Sequence, residues 1–453
     1  MVHFFRPQQK EISSKHFALN ITDLDIKGRG VARLDNCTWF VEGALPGEEV
    51  IVRTIDLKKN IGIAELISVK KRSDKRLHPF CPNFAKCGGC SLQHMSVEHE
   101  MQSKVEGIKR LFKKVLQLDL NEPEKIVYEE EESYRRICRL SVTGDKREIH
   151  LGFREAFGKK IIEIEKCPIL VDSLSDLIEP IRALLNKLSN FKLVGHIELV
   201  AADSCNVILV RTINILPKED IDLLINFAKE KSILCYVLTR HEKQKEDLEQ
   251  KEEIVCLNPE LTKGEKPFYL IKGIKISFQP SDFIQVNSSI NEKMVDCGIE
   301  YLDPHDSDEV LDLFCGLGNF TLPMASKVKH VYGIEGVWNM VHEANDNAKM
   351  AGILNAEFFV HDLDDDFEKT IWAKSNVSKV LLDPGRQGAA RVMPYLIKRN
   401  VKNIVYVSCN PLTLVRDLGV LLNKGYMINK WSVFDMFPRT EHVETVVLLS
   451  REK

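Results

Sequence analysis

A cysteine in the last part of the chain has the sequence context of a nucleophile. Cys409 lies in the segment 408–411 (SCNP), which directly follows the β-branched run 404–407 (IVYV). The run predicts a buried parallel strand, and open α/β sheets bind their ligands just beyond the carboxyl ends of such strands. Glu444 follows 35 residues after the cysteine and could act as a general base. A thiol and a carboxylate in this arrangement suit chemistry that passes through a covalent adduct.

A glycine turn upstream of this cysteine predicts a cofactor site. The segment 310–321 (VLDLFCGLGNFT) has the pattern of a strand, a glycine turn and the start of a helix, and glycines let the backbone approach a ligand closely. Glu335 ends the next predicted strand, where ribose hydroxyls are commonly bound. Asp362 follows a further strand and could meet an adenine amino group. The third glycine of dinucleotide sites is absent, which favours S-adenosylmethionine over a nicotinamide cofactor and, together with the thiol, predicts methyl transfer.

Four cysteines ahead of this region have the spacing of metal ligands. Cys81, Cys87 and Cys90 form a C-x5-C-x2-C pattern with adjacent glycines, and Cys167 precedes a proline further along the chain. Three clustered thiols with a remote fourth suit an iron–sulfur cube, whereas zinc ribbons usually present two C-x2-C pairs. Zinc is the alternative metal, and Cys138 is the alternative to Cys167 as fourth ligand.

The bulk composition is ordinary for a soluble globular protein of two or three domains. The chain has 453 residues, of which 44% are hydrophobic and 28% charged. We expect a cytoplasmic protein without a membrane partner, because no apolar run approaches spanning length and the N-terminus lacks a secretory hydrophobic core. The net charge of −3 does not favour nucleic acid. Basic clusters at 69–76, 109–114 and 134–139 could nevertheless form a phosphate-binding face, or simply a solvated surface.

The order of predicted elements indicates three domains. Short strands with glycine turns predict a small five-stranded, OB-like barrel over 12–70. A central α+β domain over 71–268 contains the cysteine cluster and has predicted helices at 96–118, 172–189 and 217–230. Residues 269–453 alternate strands and helices as in a doubly wound, Rossmann-like α/β sheet. Its clearest predicted strands are 309–313, 330–335, 379–383, 404–407 and 443–449.

The combination of Asp383-Pro384 with the segment 408–411 resembles the RNA uracil-C5 methyltransferases. Enzymes that methylate amino groups usually have an aromatic residue after this proline, and RNA cytosine-C5 enzymes have an additional Pro-Cys pair; neither feature is present here. The resemblance spans nearly the whole chain and points to the bacterial members that act on 23S rRNA. One departure is visible at Gly385 and Gln387, where close relatives usually have alanines. Asp383 and Arg386 are retained.

The resemblance implies an N-terminal TRAM barrel, a [4Fe–4S] cluster and S-adenosylmethionine as the methyl donor. The implied cluster ligands are Cys81, Cys87, Cys90 and Cys167. The implied cofactor or substrate positions are Gln285, Phe314, Asn319, Glu335, Asp362 and Asp383. The implied partner is 23S rRNA, with uracil 1939 as the expected target and a monomer as the expected state.

The resemblance also implies how the reaction proceeds. Addition of the Cys409 thiolate to C6 of uracil would make C5 a carbon nucleophile, and a base would then remove the C5 proton. Glu444 is the predicted base, with Glu441 a weaker rival because it lies in the preceding loop. Asp383 is expected to hydrogen-bond the uracil edge. A base inside folded RNA must be flipped out to reach such a pocket.

Three other functions stay open from the sequence. One changes the substrate to tRNA uracil-54 or another 23S rRNA uracil. Another is a non-catalytic iron–sulfur RNA-binding factor. A nicotinamide oxidoreductase is the third, which the missing glycine disfavours.

Overall fold

A computed structural model describes residues 15–129, 132–144, 148–156, 158–240 and 252–451 of the chain. They form two units. The first contains the described residues of 1–80 together with Cys90–Arg110 and Arg439–Glu441. The second contains Cys81–Gly89, Leu111–Pro438 and the described residues from His442 onward. Residues 12–14 of the predicted barrel lie outside the described chain, and the three predicted domain boundaries stay a prediction.

Short alternating strands form one sheet in the first unit. They are β1 His16–Asn20, β2 Asp23–Leu24, β3 Gly30–Leu34, β4 Cys37–Val41, β5 Glu49–Lys58 and β6 Ile61–Lys71. The six strands lie in the order β1-β5-β6-β4-β3-β2, and β4 and β6 are the parallel pair. Trp39 fills the core, and a Cβ at Gly62 would lie 2.3 Å from its ring, so this position requires glycine. The predicted run of short strands is confirmed, with six strands instead of five.

The helix α1, Val97–Leu116, confirms the helix predicted at 96–118. It has acidic residues in its first turn and basic residues in its last turn, which complements the helix dipole. Within the first unit, Glu100 and Lys104 form a buried ion pair one turn apart on this helix.

A mixed α+β layer occupies the first part of the second unit. Its elements after the short strand β7 Lys125–Val127 are β8 Ile137–Gly144, β9 Ile149–Arg154, β10 Ile161–Glu163, α2 Asp172–Ser175, α3 Ile178–Leu185, β11 Val194–Ala201, β12 Asn206–Thr212, α4 Lys218–Lys231, β13 Leu234–Arg240 and β14 Glu252–Cys256. The seven strands lie in the order β10-β9-β8-β11-β12-β13-β14. The single helix predicted at 172–189 is wrong. Pro180 lies in the first turn of α3, and its ring would clash with the carbonyl of Asp176 in a continuous helix, so α2 ends before it.

A doubly wound sheet occupies the last part of the second unit. After the hairpin β15 Phe268–Ile271 and β16 Ile274–Ser277, its elements are α5 Ser288–Leu302, β17 Glu309–Leu313, α6 Thr321–Ala325, β18 His330–Glu335, α7 Trp338–Met350, β19 Ala356–Val360, α8 Ile371–Lys374, β20 Lys379–Leu382, α9 Val392–Lys398, β21 Asn403–Ser408, α10 Pro411–Leu422, β22 Met427–Phe434 and β23 Glu444–Ser450. The eight-stranded sheet has the order β19-β18-β17-β20-β21-β23-β22-β7.

The five strands from β19 to β21 in this sheet are parallel, whereas β23 runs antiparallel to β21 and to β22. The predicted Rossmann-like region is therefore confirmed, with its clearest strands placed to within about one residue. Parallel strands buried on both faces are continuous apolar runs, which is why they could be located from sequence. Across the described chain, no helix is long and apolar enough to cross a membrane.

Candidate active site

Cys409 is held between the end of a strand and the start of a helix. β21 ends at Ser408, and α10 begins at Pro411. Asn410 caps the helix, because its side chain accepts a hydrogen bond from the Leu412 amide at 3.2 Å. Proline at the first helical position needs no amide partner, so the turn is short and fixed. Cys409 is half-buried at the carboxyl edge of the parallel strands, as its sequence context predicts.

Two carboxyl groups approach this cysteine from neighbouring strands. Asp383 follows β20 directly, and its amide donates to the carbonyl of Leu313 at 3.2 Å. Glu444 is the first residue of β23, whose antiparallel register sets Thr445 opposite Ser408. Continuing that register by one residue places Glu444 beside Cys409. Glu444 is buried at 5% exposure, whereas Glu441 belongs to the first unit and pairs there with Lys27 at 3.1 Å.

Burial and like charges make this pocket unfavourable for negative groups. Burial, together with the carboxylates of Glu444 and Asp383, raises the pKa of Cys409 to about 12, and the guanidinium of Arg386 opposes the rise. Burial raises the pKa of Asp383 to about 7. Burial and the neighbouring Asp383 also raise the pKa of Glu444 well above its usual value, and Arg386 again opposes the shift. The pocket thus holds three groups that resist ionisation and one cation that favours it.

The glycine turn of the predicted cofactor site closes against Glu335. Phe314 directly follows β17 and lies in the left-handed region at φ +64°, a strained conformation that is common at functional sites. The Glu335 carboxylate accepts hydrogen bonds from the amides of Gly316 at 3.2 Å and of Val337 at 3.0 Å. A carboxylate has about four acceptor positions, so further lone pairs remain for ribose hydroxyls. At Gly318, φ is +92° and a Cβ would lie 2.9 Å from Leu322, which explains the glycine there.

The other implied cofactor residues surround the same turn. Asn319 and Asn291 exchange two side-chain hydrogen bonds of 2.9 Å, and the Tyr269 hydroxyl donates to Asn319 at 3.5 Å. Gln285 is half-buried, and Asp362 is exposed after β19. Asn291 was not predicted as part of this site, because it lies inside the amphipathic helix α5 and nothing in its local sequence distinguishes it from a surface residue.

Arg136 is a second residue that sequence reasoning missed. It belongs to the basic cluster 134–139, whose side chains were expected on a surface, yet Arg136 is only 4% exposed. Its Nε donates to the Gln285 carbonyl at 2.8 Å, and its guanidinium lies 5.0 Å from the centroid of the Tyr269 ring. Both terminal nitrogens are buried without a hydrogen-bond partner in the described chain.

Three of the predicted metal-ligating cysteines belong to the second unit and influence one another. Burial raises the pKa of Cys167 to about 11, and the thiols of Cys81 and Cys87 add to the shift. Amides donate to two of these sulfurs: Gly89 to Cys87 at 3.4 Å, and the two residues after Pro168 to Cys167. Amide donors of this kind stabilise thiolates that ligate a metal cluster. Cys90 is half-buried and belongs to the first unit.

The alternative ligand Cys138 has a different environment. It lies on β8 at 3% exposure, and burial raises its pKa to about 12, with a smaller contribution from Cys167. Neither Cys81 nor Cys87 is among the groups that shift it. Cys167 is therefore the thiol that interacts with both members of the glycine-rich segment.

The fold and the residues at its carboxyl edge define a class before any relative is considered. A doubly wound sheet with a glycine turn, an acid at the end of the next strand and a thiol at its carboxyl edge is the arrangement of a Rossmann-like methyltransferase. Residues 96–452 match the family model described as tRNA (Uracil-5-)-methyltransferase, and residues 16–67 match that of the TRAM domain. The chain belongs to the tRNA (uracil-5-)-methyltransferase family, and the resemblance found in its motifs is confirmed.

Individual relatives agree with this assignment. Proteins named 23S rRNA (uracil(1939)-C(5))-methyltransferase RlmD from Aliivibrio fischeri (strain MJ11) and Tolumonas auensis are each 40% identical to this chain, and both alignments cover 100% of each protein. The solved structure of Pyrococcus abyssi tRNA (uracil-54, C5)-methyltransferase in complex with S-adenosyl-L-homocysteine has a TM-score of 0.71 and 23% identity. It covers 96% of this chain and 100% of that one, which shows a shared fold.

Proposed function

We propose that this protein transfers a methyl group from S-adenosylmethionine to C5 of uracil 1939 in 23S rRNA. The observation that carries the proposal is the position of Cys409 beside Glu444 and Asp383, at the edge of the sheet that also bears the Glu335 turn. The relatives at 40% identity supply the RNA target. The TRAM match supplies a module for holding RNA.

The reaction needs a nucleophile because C5 of uracil is itself a weak one. The sulfur of Cys409 adds to C6, and the displaced π electrons make C5 nucleophilic, with negative charge delocalised to O4. The bound cofactor supplies an electrophilic methyl group to C5. A base then takes the C5 proton, and the C6–S bond breaks to restore the ring and the thiolate. Asp383 would hydrogen-bond the uracil edge through these steps.

Glu444 is the better candidate for the base. It is buried next to Cys409, and burial and the neighbouring Asp383 raise its pKa, which makes its carboxylate a stronger base than a solvated one. Glu441 is 39% exposed at its side chain and is already paired with Lys27. An exposed, ion-paired carboxylate is a weaker base than a desolvated one.

We further propose that Gln285, Phe314, Asn319, Glu335 and Asp362 hold the cofactor. Glu335 would bind the ribose hydroxyls and Asp362 the adenine amino group, because they follow β18 and β19 at the edge where such ligands bind. Asn319 and Gln285 are linked through Tyr269 and Arg136, because the Tyr269 hydroxyl donates to Asn319 and Arg136, which lies over the Tyr269 ring, donates to the Gln285 carbonyl.

We also propose that Cys81, Cys87, Cys90 and Cys167 bind a [4Fe–4S] cluster. The thiols of Cys81 and Cys87 raise the pKa of Cys167, so the three groups lie close enough to influence one another. The amide donors to the sulfurs of Cys87 and Cys167 favour a cluster over zinc.

An enzyme that modifies ribosomal RNA works where ribosomes assemble, so the cytoplasm is the compartment expected from this function. The monomeric state stays a prediction.

Purified wild-type protein tests the function directly. We expect S-adenosylmethionine-dependent methylation of a 23S rRNA fragment that contains uracil 1939, and none of the same fragment with that uracil replaced by cytosine. Cys409→Ala should lower the rate by at least about 10⁴-fold while still binding the cofactor, because nucleophile removal costs rates of this size. Cys37→Ala, a half-buried cysteine of the first unit, is the matched control and should keep full activity.

Two further measurements complete the test. RNA that carries 5-fluorouridine at the target should give a denaturation-resistant adduct with wild type and none with Cys409→Ala. Methylation of tRNA in place of the 23S fragment would move the target to uracil-54. Retained biological activity of Cys409→Ala would instead identify a non-catalytic RNA-binding factor.

A further inference from the structure

The loop after β20 forms an exposed rim of the candidate active site. Asp383 is half-buried and Pro384 is buried, whereas the next three residues, 385–387 (GRQ), are exposed. Since β20 ends at Leu382 and pairs in parallel with β21, the loop begins at the same edge of the sheet as Cys409. A nucleotide that flanks a flipped uracil stays outside the pocket, so this exposed segment is a part of the site that such a nucleotide could reach.

Hydrogen bonds to α10 fix the backbone of this loop. The carbonyl of Arg386 accepts a hydrogen bond from the Asn410 side chain at 2.9 Å, and the carbonyl of Gln387 accepts one from Arg416 at 2.8 Å. Asn410 caps α10, and Arg416 lies in the second turn of this helix. The side chain of Gln387 therefore extends from a backbone that is held in place relative to Cys409, which directly precedes the cap.

The side chain of Gln387 folds back over Gly385. A Cβ at Gly385 would lie 3.1 Å from Oε1 and 3.7 Å from Nε2 of Gln387, and its three nearest neighbours would all be atoms of that amide. Of the glycines in this loop, Gly388 has a positive φ of +74° and Gly385 does not. The backbone therefore does not require glycine at 385, whereas the space taken by the amide favours it. These are also the two positions at which the loop departs from the alanines usual in close relatives.

The amide of Gln387 is available to a ligand. It is exposed, and it takes part in none of the side-chain hydrogen bonds within the described chain. A glutamine amide offers one acceptor and two donors. Because it carries no charge, it suits the hydrogen-bonding edge of a nucleobase better than a phosphate.

We propose that the Gln387 amide hydrogen-bonds the base of a nucleotide next to the target uracil, and that Gly385 leaves the space for this side chain. Methylation would then depend on the identity of that nucleotide, as it does in other base-flipping enzymes that contact flanking nucleotides. The inference rests on the proposed function, because it needs an RNA substrate. An exposed glutamine could alternatively be a solvated surface residue, and the two roles differ in how they respond to changes in the RNA.

A panel of RNA fragments tests the contact. Each of the two nucleotides on either side of the target uracil is replaced in turn by the other three bases, and kcat/KM for methylation is measured with wild type and Gln387→Ala. We expect wild type to discriminate against replacement at one position by about tenfold, the size of a good amide–base contact, and Gln387→Ala to lose this discrimination.

The unchanged fragment gives a second readout. Gln387→Ala should raise the KM for RNA by about tenfold and leave kcat and the KM for S-adenosylmethionine unchanged, because the amide would bind the RNA equally in the ground state and the transition state. Asn429→Ala is the control, since it removes an exposed amide of β22 and should match wild type on every fragment.

Substitution of the glycine tests the role of the space. Gly385→Ala should weaken the same discrimination by about threefold, because its methyl group would displace the amide. In the Gln387→Ala background the same substitution should have no further effect, because no amide remains to be displaced. An equal effect of Gly385→Ala in both backgrounds would show that the glycine acts through the backbone instead. Equal melting temperatures of the variants exclude misfolding as the cause.

Equal kinetics of wild type and Gln387→Ala on every fragment would overturn the inference and leave Gln387 a solvated surface residue. A lower kcat with the discrimination retained would also overturn it, because the amide would then act on the loop and not on the RNA. If wild type methylates no fragment, the proposed function fails. Fluorescence anisotropy of the same fragments then decides whether Gln387 distinguishes the flanking base, since binding requires no methyl transfer.

Discussion

Cys409 and Cys167 are two thiols of the second unit whose pKa values are raised by burial, but the charges around them differ. Burial raises the pKa of Cys409 to about 12 and that of Cys167 to about 11. Around Cys409, the neighbours are two carboxyl groups and the guanidinium of Arg386. Around Cys167, the neighbouring side chains are the thiols of Cys81 and Cys87, with amide donors as the opposing influence.

The difference shows where each group must obtain its compensating charge. Buried thiolates need compensating positive charge, and the main influences on the pKa of Cys167 include no cationic side chain. Around Cys409, the guanidinium of Arg386 is such a cation. The neighbouring side chains therefore distinguish two thiols with similarly raised pKa values, as expected if one ligates the proposed cluster and the other is the proposed nucleophile.

The largest expected effect of this comparison concerns Glu444, one of the two carboxyl groups beside Cys409. In Glu444→Gln, the adduct can form but the C5 proton cannot be removed, so turnover should fall by about 10²- to 10⁴-fold. Target RNA with an ordinary uracil should then remain covalently attached as the C5-methylated adduct, which denaturing gel electrophoresis would detect. Glu441→Gln is the control and should turn over normally. Accumulation of the adduct in Glu441→Gln would assign the base to that residue instead.

An intermediate effect is expected for Cys167, one of the predicted metal ligands. Cys167→Ser should lose bound iron and sulfide and lower the free energy of unfolding by about 3 kcal/mol, since a ligand bound well above its Kd stabilises by this amount. Cys138→Ala should keep its iron, because Cys81 and Cys87 are not among the main influences on the pKa of Cys138. Iron analysis and chemical denaturation of the anaerobically purified proteins measure both quantities. Zinc in place of iron in the wild type would contradict the proposed cluster.

The smallest expected effect concerns the pH dependence of stability. Because the pKa of Asp383 rises from 3.8 to about 7 on folding, its protonated form favours the folded state. That contribution is present at pH 4 and is lost as pH rises toward 7. Asp383 is half-buried, so solvent screening limits the contribution of this raised pKa to the folding free energy to on the order of 1–2 kcal/mol.

Substitution of this carboxyl should remove the pH dependence. In the wild type, the free energy of unfolding measured by urea denaturation should fall between pH 4 and pH 8. In Asp383→Asn, this fall should be smaller by about 1–2 kcal/mol. Cys138→Ala is the control, because the thiol it removes has a pKa of about 12 and does not ionise in this range. An unchanged pH dependence of the free energy of unfolding in Asp383→Asn would show that this carboxyl is solvated and that burial does not raise its pKa.

The catalytic edge of the sheet could be located well from sequence alone. Strand periodicity identified β17, β18, β20 and β21, and ligand sites of such sheets lie beyond the strand ends. That rule places Cys409, Asp383 and Glu335 at one edge from the sequence alone. It works because Glu335 ends its strand and Asp383 and Cys409 directly follow theirs, so their positions depend on local sequence.

Other parts of the site could not be located in this way. The helix predicted at 172–189 is broken because a single proline outweighed the helical periodicity around it. Arg136 was assigned to a basic surface, yet β15 and the segment containing Gln285 bury it. Both errors arise where residues distant in sequence, or one backbone clash, decide the environment.

The amino-acid sequence by itself determined the order of strands along the chain, the glycine turn and the chemical types of the candidate nucleophile, base and metal ligands. Only the tertiary structure decided which carboxyl group reaches Cys409 and which cation opposes it. Glu444 lies on an antiparallel strand added after α10, and Arg386 lies on a loop held by α10. Proton affinity and charge stabilisation depend on distance and burial in three dimensions, and neither quantity is encoded in the local spacing of residues.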